Sequence, residues 1–267
     1  MVQRILLLAG LAAALLVGQV SDALAATLYD AQASSILSIT GFFDAAGTAI
    51  AKPSDLLVEG DAQVFDRFES ALGAASADTL ALAEVFGSDP LNLDVGEGVA
   101  LEAGASGSTS FPPVSSAESV ARTDGLIFFD NLSATATYQV GFELDVSWLV
   151  DAAADLPASE AAAAEIRILL ESLSGGTLLD LFELSDTSLG GGSLSASPLL
   201  ASVLVLGPGE FDELGLISDA TGFASSAPEP SSLLLLGSGL LCLLARRRAF
   251  LHRGRRPGRE WRASCVE

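Results

Sequence analysis

The side chains that most often carry out catalysis lie near the C-terminus of this chain. The only histidine, His252, and both cysteines, Cys242 and Cys265, fall within its last 26 residues. Residues 26–228 therefore cannot contain a Ser-His-Asp triad, a Cys-His pair, a zinc site built from His or Cys, or a disulfide. The usual nucleophilic and zinc-dependent hydrolases are excluded for this part of the chain.

Pairs of carboxylates remain as a possible catalytic device, because two Asp or Glu side chains suffice for glycoside hydrolysis. With 30 acidic residues in the range 26–228, some pairs arise by chance. A sugar cleft usually offers aromatic stacking surfaces, and beside its Phe residues this range has only Trp148, Tyr29 and Tyr138. We expect no catalytic residues and no enzyme.

The charge of the same range is strongly negative. Its 30 acidic residues face four basic ones, which gives a formal charge of −26. The four basic residues are Lys52, Arg67, Arg122 and Arg167. This charge excludes nucleic acid and anionic lipid as electrostatically attracted partners. It is compatible with solubility outside a cell or with cation binding.

Two acidic loops are candidates for Ca²⁺ ligands: Ser88–Gly98 (SDPLNLDVGEG) and Glu210-Phe211-Asp212-Glu213. Neither matches the twelve-residue calcium loop, which needs oxygen ligands at fixed alternate positions around a glycine. We expect no metal site and no cofactor, with Ca²⁺ at an acidic loop as the alternative. Asn131-Leu132-Ser133 fits a glycosylation sequon, but we interpret Asn131 first as a turn residue.

A three-part segment near the C-terminus is the most specific signal in the chain. Pro228-Glu229-Pro230 favours an open, extended peptide that an enzyme could bind. Ser231 to Ala245 is an uncharged run of 15 residues, shorter than the roughly 20 of a stable spanning helix. Arg246-Arg247-Arg248 then resists translocation. The alternatives are a tail anchor, which does not account for Pro-Glu-Pro, and a core helix, which does not fit beside eight Arg residues.

These three parts, in this order, resemble the PEP-CTERM sorting signal of exported bacterial proteins over Pro228 to Arg248. The resemblance implies recognition by an exosortase, an integral-membrane enzyme similar to cysteine transpeptidases, with cleavage near Pro228-Glu229-Pro230. It also implies a setting at the bacterial surface, among extracellular polysaccharide or biofilm. Ala249 to Glu267, 19 residues beyond the Arg cluster, is predicted to be a basic, disordered cytoplasmic tail.

The N-terminus agrees with export. Arg4 precedes an apolar run from Ile5 to Val20, and Ala23-Leu24-Ala25 is an A-x-A cleavage site. We predict a signal peptide over residues 1–25 that is cleaved after Ala25, in preference to a retained N-terminal helix. The protein is then held transiently at the inner membrane by its C-terminal helix before it reaches the surface or the medium.

The central sequence predicts β-structure. Alternate residues from Ala136 to Trp148 are apolar, which is typical of a half-buried antiparallel strand. Further strands are predicted at Leu126–Phe129, Ala164–Leu170, Leu200–Leu206 and Phe211–Ile217, with turns at Gly175-Gly176 and Gly190-Gly191-Gly192. These features favour an antiparallel β-sandwich, jelly-roll-like and with a little helix.

Other segments leave alternatives open. Residues 34–40 alternate only weakly, and residues 62–82 fit either an Ala-rich helix or two irregular strands. Residues 99–111 fit an edge strand or a loop, and a short helix is predicted within residues 152–164.

The predicted organisation has five parts. They are a signal peptide (1–25), an exported β-sandwich (26–222), a linker (223–227), the sorting signal (228–248) and the basic tail (249–267). The predicted function is a non-catalytic cell-surface or extracellular-matrix protein of a Gram-negative bacterium. A polysaccharide- or Ca²⁺-binding module is the alternative.

Overall fold

A computed structural model describes residues 26–110, 114–155 and 160–226 of the chain. The chain divides into two units, residues 1–227 and 228–267, and all described residues belong to the first. No helix in these described ranges is both long and apolar enough to cross a membrane. The predicted signal-peptide helix and C-terminal helix lie outside them.

The described residues form twelve strands and one short 3-10 turn, at Thr187–Leu189. The strands are β1 (Ala26–Asp44), β2 (Ala49–Ile50), β3 (Leu56–Leu72), β4 (Ala75–Phe86), β5 (Gly98–Ser110), β6 (Ser115–Asn131), β7 (Tyr138–Ala154), β8 (Glu160–Ser172), β9 (Gly176–Asp186), β10 (Gly192–Ala196), β11 (Leu199–Leu206) and β12 (Phe211–Ser226).

The strands make two antiparallel sheets within the described residues. The seven-stranded sheet has the central order β7-β1-β5-β4, with β10 and β11 beside β7 and with β2 beside β1. The five-stranded sheet has the order β3-β6-β12-β8-β9. The prediction of a mainly β, antiparallel fold is confirmed.

Of the two alternatives for residues 62–82, the pair of irregular strands is confirmed and the helix is wrong, because these residues belong to β3 and β4 and the turn between them. The structure also corrects two other local predictions. Residues 152–154 and 160–164 are strand rather than helix, since they pair with β1 and β12. Residues 99–110 belong to β5, which lies inside its sheet between β1 and β4 and is not an edge. Strand pairing overrides the helix propensity of the alanines here.

The buried faces of the two sheets share one core, in which alanines and aliphatic side chains surround the aromatic rings of Tyr29, Phe42, Phe129 and Phe142. Buried hydroxyls join the sheets across it. Ser35 of β1 and Ser218 of β12 share a hydrogen bond of 2.6 Å, and Tyr29 Oη lies 2.9 Å from Ser119 Oγ of β6. Because each hydroxyl has a partner, these polar groups can be buried at little cost.

An irregularity in β3 explains why its sequence does not alternate. The register with β6 shifts between Val64 and Asp66, which reverses the direction of the side chains that follow. Arg67 therefore pairs with the buried position Ala121. Its guanidinium donates to Thr79 of β4, with Nη2 lying 2.9 Å from the carbonyl oxygen. Because of the bulge, Arg67 on β3, an edge strand of one sheet, donates a hydrogen bond to β4, an edge strand of the other sheet.

The outer edge beside β7 is interrupted. β10 pairs with the C-terminal part of β7 and β11 with its N-terminal part. Ser197 and Pro198 separate the two short strands. Proline has no backbone N–H to donate to a strand ladder, and for this reason it is found in sheets mainly at edge positions such as this one.

Candidate functional site

The sorting segment follows directly on the central strand of the five-stranded sheet. β12 is paired on both sides up to its last residue, Ser226, whose neighbours are Ser115 of β6 and Glu160 of β8. The buried hydroxyls of Ser226 and Ser115 lie 2.7 Å apart. Residues 223–226 are therefore strand and not linker, and the β-domain extends beyond the predicted boundary at residue 222.

The predicted site residues themselves lie outside the described residues. These are the sorting residues Pro228, Glu229, Pro230, Arg246, Arg247 and Arg248, and the signal-peptide residues Ala23 and Ala25. The structure shows how the chain is held at the two ends of the described domain, at Ala26 and Ser226.

The first acidic loop is held by an internal cation. Lys52 Nζ donates to Asn92 Oδ1 at 2.5 Å and to the carbonyl oxygen of Leu93 at 2.6 Å. Burial lowers the pKa of Lys52, although nearby carboxylates such as Asp94 oppose this effect. Glu97 accepts from the backbone N–H groups of Ser88 and Asp94, and these hydrogen bonds lower the pKa of its carboxyl group. Donor groups of the protein itself thus hydrogen-bond to Asn92 and to both carboxylate oxygens of Glu97 in this loop.

The second acidic loop is also engaged internally. Asp212 is buried and accepts hydrogen bonds from the hydroxyls of Ser172 and Ser174 and from two backbone N–H groups. Glu210 accepts from the N–H of Gly207 at 2.7 Å. Among the described residues, no group of three or more His, Cys, Asp or Glu side chains is placed to hold a metal ion.

A row of alternating charge crosses the outer face of the five-stranded sheet. Asp66, Arg122, Asp219 and Arg167 are successive cross-strand partners on β3, β6, β12 and β8. Arg122 lies 3.6 Å from Asp219 and covers the ring of Phe65, whose centroid is 4.9 Å away. Burial raises the pKa of Asp219, with Asp124 adding to the effect and Arg122 opposing it.

All four basic residues of the range 26–228 are thus bonded within the domain. Lys52 donates to the first acidic loop, and Arg67 donates to Thr79 of β4. Arg122 forms an ion pair with Asp124 at 3.2 Å, and Arg167 forms one with Asp180 at 2.9 Å. Because these four cations are few and already engaged, the negative charge of the domain is left in large excess. The field at its surface is therefore negative.

A shallow groove of about 290 Å³ lies on the outer face of the seven-stranded sheet. Leu149 of β7 and Leu80 of β4 form its two sides, and Gly104 of β5 lies between them. Its polar lining includes Gln32 and Glu102. Among the described residues that line the groove, Glu102 is the only carboxylate, so a pair of carboxylates for glycoside hydrolysis is not assembled there.

A family model for the PEP-CTERM protein-sorting motif matches residues 226–248. The chain therefore carries a PEP-CTERM sorting motif, as the order of its three parts predicts. That motif marks an extracellular protein that is exported, sorted through the membrane and targeted to an exosortase. Comparison with curated proteins and with solved structures gives no match.

Proposed function

We propose that the protein is a non-catalytic component of the cell surface or extracellular matrix of a Gram-negative bacterium, where it is associated with exopolysaccharide. The observation that carries the proposal is a sorting motif attached without a linker to a strongly acidic β-domain, whose last strand is paired on both sides up to Ser226. An exosortase delivers the domain by cleaving near Pro228-Glu229-Pro230, after transient anchoring in the inner membrane.

The architecture included in this proposal is a jelly-roll-like β-sandwich. Successive strands alternate between the sheets: β1 is in one, β3 in the other, β4 and β5 return to the first, and β6 lies again in the second. Such crossing connections are typical of sandwiches. A rigid, two-layer domain with charged outer surfaces suits a coat or matrix component.

The chemistry of the side chains supports a non-catalytic role. The range 26–228 has no His or Cys, and its two candidate acidic loops use their carboxylates to bind the chain itself. No cofactor is needed for the proposed role. Thermal denaturation with millimolar Ca²⁺ and with a chelator tests the calcium alternative, because a bound ion would raise the melting temperature.

The sorting step is tested by replacing Pro228, Glu229 and Pro230 with alanine. We expect the uncleaved chain to accumulate at the inner membrane. The matched control places three alanines at exposed positions of β10, Ser193, Leu194 and Ser195, and should be processed normally. If the Pro228–Pro230 variant loses its tail and reaches the surface like the wild type, the exosortase assignment is wrong.

The matrix role is tested by fractionating a host that makes exopolysaccharide and one that does not. We expect the protein to stay with the cell surface in the first host and to pass into the medium in the second. The same distribution in both hosts would contradict association with exopolysaccharide.

The groove on the seven-stranded sheet supports a second candidate, direct polysaccharide binding. Gln32 and Glu102 could bind sugar hydroxyls, while Leu80 and Leu149 could contact the apolar faces of the rings. In a pull-down with the host polysaccharide, Gln32→Ala should reduce retention, whereas Gln63→Ala, an exposed position on the other sheet, should not. Equal retention of both variants would remove this candidate.

A further inference from the structure

Both membrane-directed segments of the chain attach to the same end of the β-domain. β1 begins at Ala26, which pairs with Ser110 of β5. The hydroxyl of Ser115 donates to the carbonyl oxygen of Ser110 at 3.0 Å and shares a hydrogen bond with the hydroxyl of Ser226. The predicted signal peptide precedes Ala26 and the sorting motif begins at Ser226, so we name this the motif end.

The connection between the motif end and the apolar run is short. Ser231, where the run begins, follows Ser226 by five residues. Five extended residues span at most about 18 Å. While the apolar run is in the membrane, the motif end must therefore lie close to the bilayer surface.

Three large apolar side chains are exposed at the motif end. Leu72 is 66% exposed, Val114 is 54% exposed and Leu189 is 80% exposed. Leu72 pairs with Ser116 on one side of Ser226, whereas Leu189 lies in the 3-10 turn that follows β9 on the other side. They flank the strand that carries the sorting motif.

The two ends of the domain differ in charge. At the motif end, the described turn residues are Gly73, Ala74, Val114, Asp155 and Thr187 to Gly191, and Asp155 is the only acidic one among them. Two further acids, Glu160 and Asp186, lie at the adjoining ends of β8 and β9. At the opposite end, exposed apolar residues such as Leu91 and Leu132 also occur. There the described turns contain one basic residue, Lys52, and five acidic residues: Asp55, Asp89, Asp94, Glu97 and Glu210.

Asp155, the acidic turn residue at the motif end, has a hydrogen-bond partner within the domain. Asp155 Oδ2 accepts a hydrogen bond of 3.1 Å from the backbone nitrogen of Ala26. After cleavage at Ala25, that nitrogen would be a cationic amino terminus. An apolar end with one acidic turn residue suits contact with a bilayer surface better than the opposite end, whose five acidic turn residues would be repelled more strongly by anionic lipid.

We propose that the motif end is a lipid-contacting surface, on which Leu72, Val114 and Leu189 rest in the headgroup region while the chain is still held by its C-terminal segment. The contact fixes which end of the domain faces the bilayer when the exosortase acts. This inference rests on the transient membrane anchoring included in the proposed function and does not depend on the matrix role.

Tryptophan fluorescence of the full-length chain in vesicles of phosphatidylethanolamine and phosphatidylglycerol tests the proposal. Leu72→Trp and Leu189→Trp place reporters at the motif end, and Leu132→Trp, 65% exposed at the opposite end, is the matched control. Lipids brominated in their acyl chains should quench the two motif-end reporters and leave the Leu132→Trp reporter unquenched. Trp148 and Trp261 contribute the same background to every variant.

Equal quenching of Leu72→Trp and Leu132→Trp, or none at either position, would overturn the proposal. Quenching of Leu72→Trp that appears only when an exosortase is present in the vesicles would assign this surface to the enzyme and would also overturn it. All three substituted positions are exposed, so the variants should fold. Far-UV circular dichroism checks that each retains its β-structure.

Discussion

The ring of Tyr29 occupies the space that a side chain on Gly222 would need. A Cβ atom added at Gly222 would lie 1.9 Å from Cδ2 of Tyr29. Tyr29 is on β1 and Gly222 on β12, so the contact joins the central strands of the two sheets. Gly107, on β5, makes room for the same side chain, since an added Cβ there would lie 2.4 Å from Tyr29 Oη.

We predict that Gly222→Ala destabilises the domain by about 3 kcal/mol, because the added methyl group must displace a buried aromatic ring. Gly215→Ala is the matched control on the same strand, since its Cβ would have only Leu126 Cδ2 nearby, at 3.6 Å. Urea denaturation measures the free energy of unfolding of both variants. Similar free energies of unfolding for the two variants would show that Tyr29 does not fill the space over Gly222.

Asn131→Asp is predicted to lower stability by about 3 kcal/mol. The Nδ2 of Asn131 is buried and faces the carbonyl oxygens of Ala136, Leu206 and Gly207 at 2.7–3.2 Å. A carboxylate cannot donate to them. Asn92→Asp should have little effect, because the oxygen of Asn92 accepts from Lys52 and a carboxylate can do the same.

The same contacts bear on the sequon at Asn131. In the folded domain its amide nitrogen is fully occupied, so we expect no glycan there. Mass spectrometry of the exported protein checks this expectation, and a modified Asn131 would contradict the buried arrangement.

Asp212→Asn is predicted to lower the free energy of unfolding by about 2 kcal/mol at neutral pH. Burial alone would raise the pKa of Asp212, but hydrogen bonds from Ser174, from the N–H of Glu213 and from Ser172 outweigh it and lower the pKa. The ionised group therefore stabilises the fold above its unfolded pKa of about 3.9. This contribution is lost as the pH falls through the folded pKa.

Denaturation of both proteins over a series of pH values tests the direction of this pKa shift. The difference in free energy of unfolding between wild type and Asp212→Asn should be largest near neutral pH and should shrink in acid. Asp61→Asn, at an exposed position of β3, is the control and should show no such difference. If the difference in free energy of unfolding between wild type and Asp212→Asn grew larger in acid, the pKa of Asp212 could not be lowered in the folded protein.

Asp155→Asn is predicted to weaken the processed protein more than the precursor. In a chain that starts at Ala26, the amino terminus would be a cation 3.1 Å from Asp155, and an exposed pair of this kind contributes up to about 1 kcal/mol. In the precursor, an uncharged peptide N–H occupies the same place. The melting temperatures of wild type and Asp155→Asn, each as precursor and as a chain starting at Ala26, give the comparison. Equal losses in both forms would contradict an ion pair between Asp155 and the new amino terminus.

The sequence predicted the strands best where large apolar residues alternate. The strand prediction over Ala136–Trp148 corresponds to β7, although β7 begins at Tyr138 and continues to Ala154. Its last residues are mostly alanines, whose small side chains carry little periodic signal and favour helix in isolation. In the fold, Ala152 is a buried core residue beneath the neighbouring sheet.

The first half of the chain was harder to predict for two physical reasons. In β1 the inward positions include Ser35, whose hydroxyl is satisfied by Ser218, whereas Ile36 points outward and is 42% exposed. In β3 the bulge before Asp66 reverses the pattern midway. Both effects depend on partners far along the chain.

The sorting motif could be recognised from sequence because its three parts are contiguous. The motif end could not, since only the strand topology places Leu72, Val114 and Leu189 at the same end of the domain. The charge difference between the ends is likewise invisible until each turn has been assigned to one end of the sheets.

The divided edge of the seven-stranded sheet has a consequence for crowding among copies of the domain. Edge strands are templates for pairing with other chains, but here β10 offers five residues and β11 eight, and Ser197 and Pro198 interrupt the edge between them. An incoming strand from another molecule would lose its register at that break. The domain can therefore be packed densely without this edge seeding amyloid-like fibres.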